Sequence, residues 1–446
     1  MNRQDWLARA RATADRHAQV PSSVQAGHGL RPEVERVLLA ELHALVSAAP
    51  LPLLDEFRHC PEGALAARVE PRIDALWEGR FDWTPEDGDD AAAWLVAAIV
   101  QVRALDQALA QGLLDAGLGP RLDPRQWAVP RHGAYVVPRS PWRLDGSVPK
   151  RGEPYSRRGL QHHAVLPVEV GGLRVRPVHL PSGPLPGGRL ALGAALFRAP
   201  ELRLRAAGDG PHGEGFLAER FEAADMEATI ERQAKAAFAD GCFAAVWPEL
   251  TMPPAARQAL SRHLALEALR YSPDQPLRLV VAGSWHEPLE GRGWANLARI
   301  LGRTGEVLCT YAKFAAFHDE TWGEEAIARG EELPVVVTGD LVVGFAICKD
   351  FCDRAVASPF AELPVDLMLV PSMGHASTLA GHLANAEDLR LRTGTVVFVV
   401  QQLPETAADP AQAGEEILGQ VLLSRRKSVS VPQASTWAVH VASRAA

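Results

Sequence analysis

Leu341-Val342-Val343-Gly344-Phe345-Ala346-Ile347-Cys348-Lys349-Asp350 is an apolar, β-rich run that ends in a cysteine followed by two charged residues. The pattern predicts a buried strand that emerges at a loop, with the Cys348 thiol at the point of emergence. A cysteine there is either a small core hydrophobe or a nucleophile. Its neighbours in the chain decide between the two.

Around this stretch, from Arg189 onward, strand and helix patterns alternate. Leu190 to Phe197, Cys242 to Trp247, Leu277 to Gly283, Val365 to Val370 and Val396 to Gln401 read as strands, and Met226 to Asp240, Pro254 to Tyr271 and Leu379 to Thr393 as helices. A strand-turn-strand spans Leu297 to Tyr311, a hairpin joins Val335–Thr338 to Leu341–Ile347 across Gly339-Asp340, and Ile417–Leu423 with Thr436–Val441 reads as a last hairpin-like pair. The expectation is a layered α/β domain with mixed sheets over residues 189–446. Residues 1–120 carry helical spacing instead, as in Val34, Val37, Leu38, Leu42 and Leu45. Between them, residues 121–188 are rich in Pro, Gly and Arg, as in Pro149-Lys150-Arg151-Gly152-Glu153-Pro154 and Ser182-Gly183-Pro184-Leu185-Pro186-Gly187-Gly188. They read as a linker with one or two irregular strands, and the His162-His163 pair as a surface loop.

The composition fits this plan. A chain of 446 residues exceeds one ordinary core, and 47% apolar with 22% charged residues is a globular balance. The net charge of -8 speaks against a dedicated nucleic-acid partner. Five cysteines without a CxxC pair imply neither a disulfide framework nor a zinc site. The apolar cluster from Ala91 to Val102, followed by Arg103 and Asp106, is short of a membrane span. A cytoplasmic location, no metal and no cofactor are the corresponding expectations. No Gly-rich phosphate loop is present.

Three ionisable residues stand where apolar strands stop: Glu249 after Phe243–Trp247, Lys313 after the strand ending at Tyr311, and Cys348 after Ile347. Together they make a chemistry: a shielded carboxylate to take the thiol proton, a thiol to attack, and an ammonium to hold a developing oxyanion. The backbone N–H of Lys349 would complete the oxyanion hole. Trp285, His286, Phe317, His318 and His375 are candidate pocket lining, whereas His382 is expected in solvent and Cys352 in packing.

The order and wording of these motifs resemble the nitrilase superfamily of carbon–nitrogen hydrolases. The likeness lies in Val246-Trp247-Pro248-Glu249, in Gly305-Glu306-Val307-Leu308 leading to Tyr311-Ala312-Lys313, in Gly344–Asp350, and in Val370-Pro371-Ser372. It implies an α-β-β-α sandwich, pairing into homodimers or larger homo-oligomers, with Glu249 as general base, Lys313 as oxyanion stabiliser and Cys348 as nucleophile. It also implies a second glutamate between lysine and cysteine, for which Glu320, Glu324 and Glu325 are candidates. Lys349 in place of an aromatic residue after the cysteine tilts the expected substrate from a nitrile towards a small amide or carbamoyl compound. A scaffold or regulatory protein binding a partner through its N-terminal helices, and an acyltransferase using the same triad, are the competing readings.

Overall fold

In the computed structural model the N-terminal stretch forms helices α1 (Arg3–Ala18), α2 (Pro32–Ser47), α3 (Leu51–Phe57), α4 (Glu62–Trp77) and α5 (Ala91–Asp115). The structure describes residues 1–20, 32–86, 88–115, 124–139, 160–181, 189–208, 215–339, 341–404, 417–424, 428–432 and 434–443. The Pro149–Pro154 and Ser182–Gly188 stretches and Asp340 of the hairpin turn lie outside these residues.

The other four helices all contact α5, whose Leu95, Ala98, Ile99, Val102 and Leu105 are fully buried. Its apolar stretch is longer than the sequence suggested: 22 residues, Ala91–Gly112, are long and apolar enough to cross a membrane, and 72% of that window is buried inside the protein. Arg103 and Asp106 do not interrupt it because both are paired. Arg103 bonds Glu62 at 2.6 Å, and Asp106 meets the His163 ring at 2.9 Å. His163 is therefore buried on a carboxylate from a distant helix and not a surface-loop residue.

The 121–188 region contributes β1 (Ala128–Val129), β2 (Ala134–Pro138), β3 (His163–Pro167), β4 (Glu169–Val170) and β5 (Leu173–His179). The first three make a small sheet of their own. The other two cross the boundary set at Arg189: β5 runs parallel to β16 (Glu332–Val337), with Arg174 to His179 paired to Glu332 to Val337, as in Leu333↔Val175. The alternation of Leu173, Val175, Pro177 and His179 marks this strand in the sequence but not its partner; Arg174 and Arg176 occupy its outer face, where both pair with Glu332.

Two large mixed sheets follow. The first is built from β6 (Arg189–Ala195), β9 (Ala244–Trp247), β10 (Leu279–Ala282), β11 (Trp285–Leu289), β12 (Gly293–Leu301), β13 (Val307–Ala312) and β22 (Trp437–Ser443). The second has the order β21-β20-β19-β18-β17-β16-β5-β4, with β17 (Val342–Phe345), β18 (Leu367–Met373), β19 (Val396–Gln402), β20 (Ile417–Leu423) and β21 (Val429–Pro432). Smaller pairs join β7 (Glu201–Ala206) to β8 (Phe216–Glu222), and β14 (His318–Asp319) to β15 (Gly323–Glu324). Helices α6 (Met226–Ala239), α7 (Pro254–Ala268), α8 (Lys349–Cys352), α9 (Ser358–Ala361) and α10 (Ala376–Thr393) complete the fold. The fold class is mixed α/β.

The expected final hairpin does not form. Ile417–Leu423 pairs with β19 and β21, while Trp437–Ser443 pairs with β6 in the other sheet. Two apolar alternations separated by a short polar stretch look like a hairpin in sequence, and the short strand β21 between them breaks that pairing. One continuous core takes in Val246, Val281 and Tyr311 of the first sheet, Val336, Phe345 and Val399 of the second, and Leu95 and Leu105 of α5. Burial of this core is the main favourable term holding the layers together.

Candidate active site

Each of the three chemical residues leaves its strand where the backbone is forced to turn. Glu249 follows β9, and Leu250 beside it sits at φ 53°. The chain here is pressed against Gly283, where an added Cβ would stand 2.5 Å from the Pro248 carbonyl oxygen. Lys313 follows β13, its N–H bonded to the Asn296 carbonyl at 2.9 Å. Cys348 follows β17 at φ 39° and ψ -99°, a backbone region that non-glycine residues adopt at a cost of roughly 1–3 kcal/mol. Three bonds hold this strained turn. Cys348 N–H donates to Pro371 at 3.0 Å, and Phe351 and Cys352 donate to the Cys348 carbonyl, each at 2.9 Å.

The side chains converge on the Lys313 ammonium. Its Nζ bonds Glu249 Oε1 at 2.8 Å and Glu325 Oε2 at 2.7 Å, and all three residues are buried. Asn296 Nδ2 donates to Oε1 of both carboxylates, at 3.1 Å to Glu249 and 2.8 Å to Glu325. Glu325 Oε1 also receives His286 Nε2 at 2.8 Å, and its Oε2 the Phe317 N–H at 3.0 Å. His286 Nδ1 accepts from the Ala218 N–H at 2.7 Å, which fixes the ring proton on Nε2. Glu325 thus accepts four hydrogen bonds and has no capacity left. Glu249 is different: among the described residues its Oε2 receives only the Met373 N–H, at 3.3 Å.

The electrostatics follow from this contact list. Burial works against the Lys313 charge, but Glu249 and Glu325 outweigh it and hold the ammonium well above its ordinary value. Burial likewise opposes ionisation of Glu325, and Lys313 and His286 together bring it down to about 2. A buried cation and two buried carboxylates are tolerable only as such a mutual set.

Cys348 lies beside this set, 4% exposed. Its sulfur is 3.5 Å from the Met373 carbonyl and receives the Ser372 hydroxyl at 3.3 Å. The Met373 peptide therefore touches Cys348 through its carbonyl and Glu249 through its N–H. Behind Ser372 stands His382, Nε2 to Oγ 3.1 Å, fully buried and stacked on Phe351. The expectation of a solvent-exposed His382 is wrong, because its place on α10 turns it inward onto the α8 turn. Its Nδ1 has no partner among the described residues. With the ring proton on Nε2 and donated to Ser372, the serine hydrogen is shared between the Cys348 sulfur at 3.3 Å and Gln401 Oε1 at 3.4 Å. A hydrogen bond to Cys352, then burial, then the Glu249 carboxylate all push the Cys348 thiol up, against the pull of Lys313. At rest it is a thiol.

The remaining candidates fall as follows. Of the three glutamates between lysine and cysteine, Glu325 is in the cluster, while Glu320 and Glu324 are exposed. His286 and Phe317 touch the cluster through Glu325. Trp285 packs instead with Trp247, Leu250 and Met252. His318 is exposed on β14, and His375 precedes α10 with its carbonyl accepting from Gln401 at 3.0 Å. Lys349 pairs with Asp353 at 3.2 Å, leaving its N–H as the first of the α8 turn. Asn296, Ser372 and His382 were missed from the sequence. A buried asparagine or serine in an apolar strand is the signal that could have found the first two.

Among the described residues, Cys348, Cys352 and His382 are the group whose donor atoms, within 4.8 Å of one another, could hold a metal ion. One nitrogen of that histidine is already engaged with Ser372. A separate cavity of about 450 Å³ lies between α3, α4 and α5, lined by Leu53, Phe57, Cys60, Leu65 and Val100 among others. None of its described polar groups forms a nucleophile–base pair.

No protein-family model and no curated protein matches this chain. Solved structures that resemble it include an amidase from Nesterenkonia sp. at 17% identity, covering 58% of this chain and 92% of that one with a TM-score of 0.38. A double mutant of the amidase from Nesterenkonia sp. AN1 in complex with acrylamide is 17% identical over 59% of this chain and 94% of that one, TM-score 0.37. A cysteine-to-serine mutant of the same amidase, described as from the nitrilase superfamily, is 18% identical over 58% and 93%, TM-score 0.38. The structures this chain is similar to are thus nitrilase-superfamily amidases, at low identity and low TM-score.

Proposed function

We propose that the protein is a cysteine-dependent hydrolase of non-peptide carbon–nitrogen bonds, acting on a small amide or carbamoyl compound. The observation that carries this reading is the unequal pair of carboxylates on Lys313. Glu325 is saturated with donors and serves as a fixed anion, whereas Glu249 keeps an acceptor oxygen for a proton. In this reading Glu249 takes the Cys348 proton as the sulfur attacks the substrate carbonyl. Lys313 has three N–H groups and spends two on the glutamates, so the third meets the oxyanion, with the Lys349 N–H as second donor. The proton on Glu249 then passes to the leaving amine or ammonia. Water enters, loses a proton to the same carboxylate, and hydrolyses the thioester.

The core shared by both large sheets supports an α-β-β-α sandwich for the catalytic part of the chain, with β4 and β5 included. The strained turn at Cys348 supports the same reading, since its backbone cost needs a return in reactivity.

A screen of small aliphatic amides and carbamoyl compounds for ammonia release tests the proposal. The expected result is turnover by the wild-type protein, an acyl adduct on Cys348 by mass spectrometry, and a loss of at least about a hundredfold in Glu249→Gln. Ammonia release at the wild-type rate by Cys348→Ala would overturn it.

A further inference from the structure

The chemistry above leaves Cys352 without a task, although it stands against the nucleophile. The Cys348 and Cys352 sulfurs and one ring nitrogen of His382 lie within 4.8 Å of one another. The 2.9 Å bond from the Cys352 N–H to the Cys348 carbonyl closes a single turn between them. Such a turn puts the two Cα atoms about 6 Å apart, inside the span of roughly 4.4–6.8 Å that a disulfide bridges. Helix α10 holds the turn from behind: a Cβ on Gly381 would stand 2.2 Å from the Cys352 carbonyl oxygen. The Cα spacing and the facing sulfurs thus bring the pair within reach of a disulfide.

Reactivity is unevenly distributed over the cysteines. Cys242 and Cys309 are buried, and that burial pushes each thiol up to about 12. Cys352 is half-buried, and the hydrogen bond from Cys348 lowers it against the opposing effect of burial. Cys352 is the more exposed sulfur of the pair, so a small oxidant meets it first.

We propose that Cys348 and Cys352 are a reversible modification site, closing into a disulfide when a peroxide enters the pocket. The Cys352 sulfur attacks one peroxide oxygen, the O–O bond breaks, and the second oxygen leaves as water once protonated. Cys352 is then a sulfenic acid. The Cys348 sulfur attacks the Cys352 sulfur, the S–O bond breaks, and the hydroxide leaves as water with the Cys348 proton. Two thiols and one peroxide become one disulfide and two waters, and a dithiol reverses the step. Bond formation itself stands on the thiol geometry; only its consequence for turnover rests on the reading of Cys348 as nucleophile.

The test treats the full-length protein with hydrogen peroxide and maps its peptides. Trypsin cleaves after Lys349, so the disulfide is a cross-link between the peptide ending at Lys349 and the one beginning at Asp350. We expect that cross-link as the first product, its loss with dithiothreitol, and return of both thiols to iodoacetamide. In Cys352→Ser, whose fold is checked by circular dichroism, no cross-link can form and the buried Cys348 should stay reduced under the same peroxide exposure. Because the wild-type peptide map decides alone, a poorly folded variant leaves the proposal testable. Sulfinic acid on wild-type Cys348 without a cross-link, or no reaction at either sulfur, overturns it. An amide screen that fails while the cross-link forms would remove the hydrolase reading and leave the modification site standing.

Discussion

The Tyr311 hydroxyl donates to Asp350 Oδ2 at 2.7 Å, tying the strand that delivers Lys313 to the turn that delivers Cys348. The other oxygen of Asp350 accepts the N–H groups of Phe314 and Ala315, at 3.1 and 2.9 Å. One buried carboxylate thus sets the spacing between the Lys313 ammonium and the Cys348 thiol. Removing the hydroxyl in Tyr311→Phe should cost about 1.5–3 kcal/mol of stability above pH 7, where Asp350 is charged in the folded protein, as for a hydrogen bond to a charged group. If the tie positions the site, kcat should fall more than KM rises. Urea unfolding and steady-state kinetics on the variant check this; a stability loss with unchanged kcat would make the bond structural only.

Asp350 also predicts a pH dependence. Burial pushes its carboxyl up from 3.8 to about 7, with Lys313, Tyr311 and backbone donors opposing. The folded state then holds the proton more tightly than the unfolded state. The stability this brings is complete below pH 3.8 and is lost as pH rises to about 7. Asp350→Asn keeps the shape and cannot titrate. Its stability relative to wild type should therefore increase across that window in denaturant melts, and a pH-independent difference would contradict the assignment.

The Lys313 cluster predicts an asymmetry between its two glutamates. Lys313→Met leaves both carboxylates buried against each other and should cost about 3–5 kcal/mol, as for breaking a buried ion pair. Glu325→Gln should destabilise more than Glu249→Gln, because four donors lose a charged acceptor in the first case. Glu249→Gln should instead act chiefly on turnover. Thermal melts and kinetics on the three variants separate these effects; equal melting temperatures for the two glutamine variants would refute the difference in roles.

What the sequence revealed and what it hid follow one physical line. Glu249, Lys313 and Cys348 could be read because each is a charged or reactive residue breaking an apolar strand, a pattern that local periodicity exposes. Asn296, Ser372 and His382 sit inside buried elements, where polarity is visible only once the partner across the fold is known. The place of strand β5 in the second large sheet was hidden for a related reason. Its outer arginines match Glu332 on β16, more than a hundred and fifty residues away, and no local window contains both. The choice of Glu325 among three glutamates needed His286 and Asn296, which come from separate strands.

His382 gives the last prediction. Burial lowers its imidazole from 6.5 to about 3, so it stays neutral in the folded protein while the unfolded chain takes up a proton below pH 6.5. Its folded-state value is depressed, so the stability it contributes is present above pH 6.5 and is lost as pH falls towards about 3. One proton corresponds to a slope of at most about 1.4 kcal/mol per pH unit. Other groups titrate in the same range: Asp350 works in the opposite sense between about 7 and 3.8, while His17, also lowered by burial, and Glu325, between 4.5 and about 2, work in the same sense, so only the difference between variant and wild type isolates the histidine. His382→Gln cannot protonate and can still donate to Ser372. Its unfolding free energy relative to wild type should therefore rise as pH falls below 6.5 towards about 3, and parallel curves for the two proteins would show that His382 is not buried as the neutral ring.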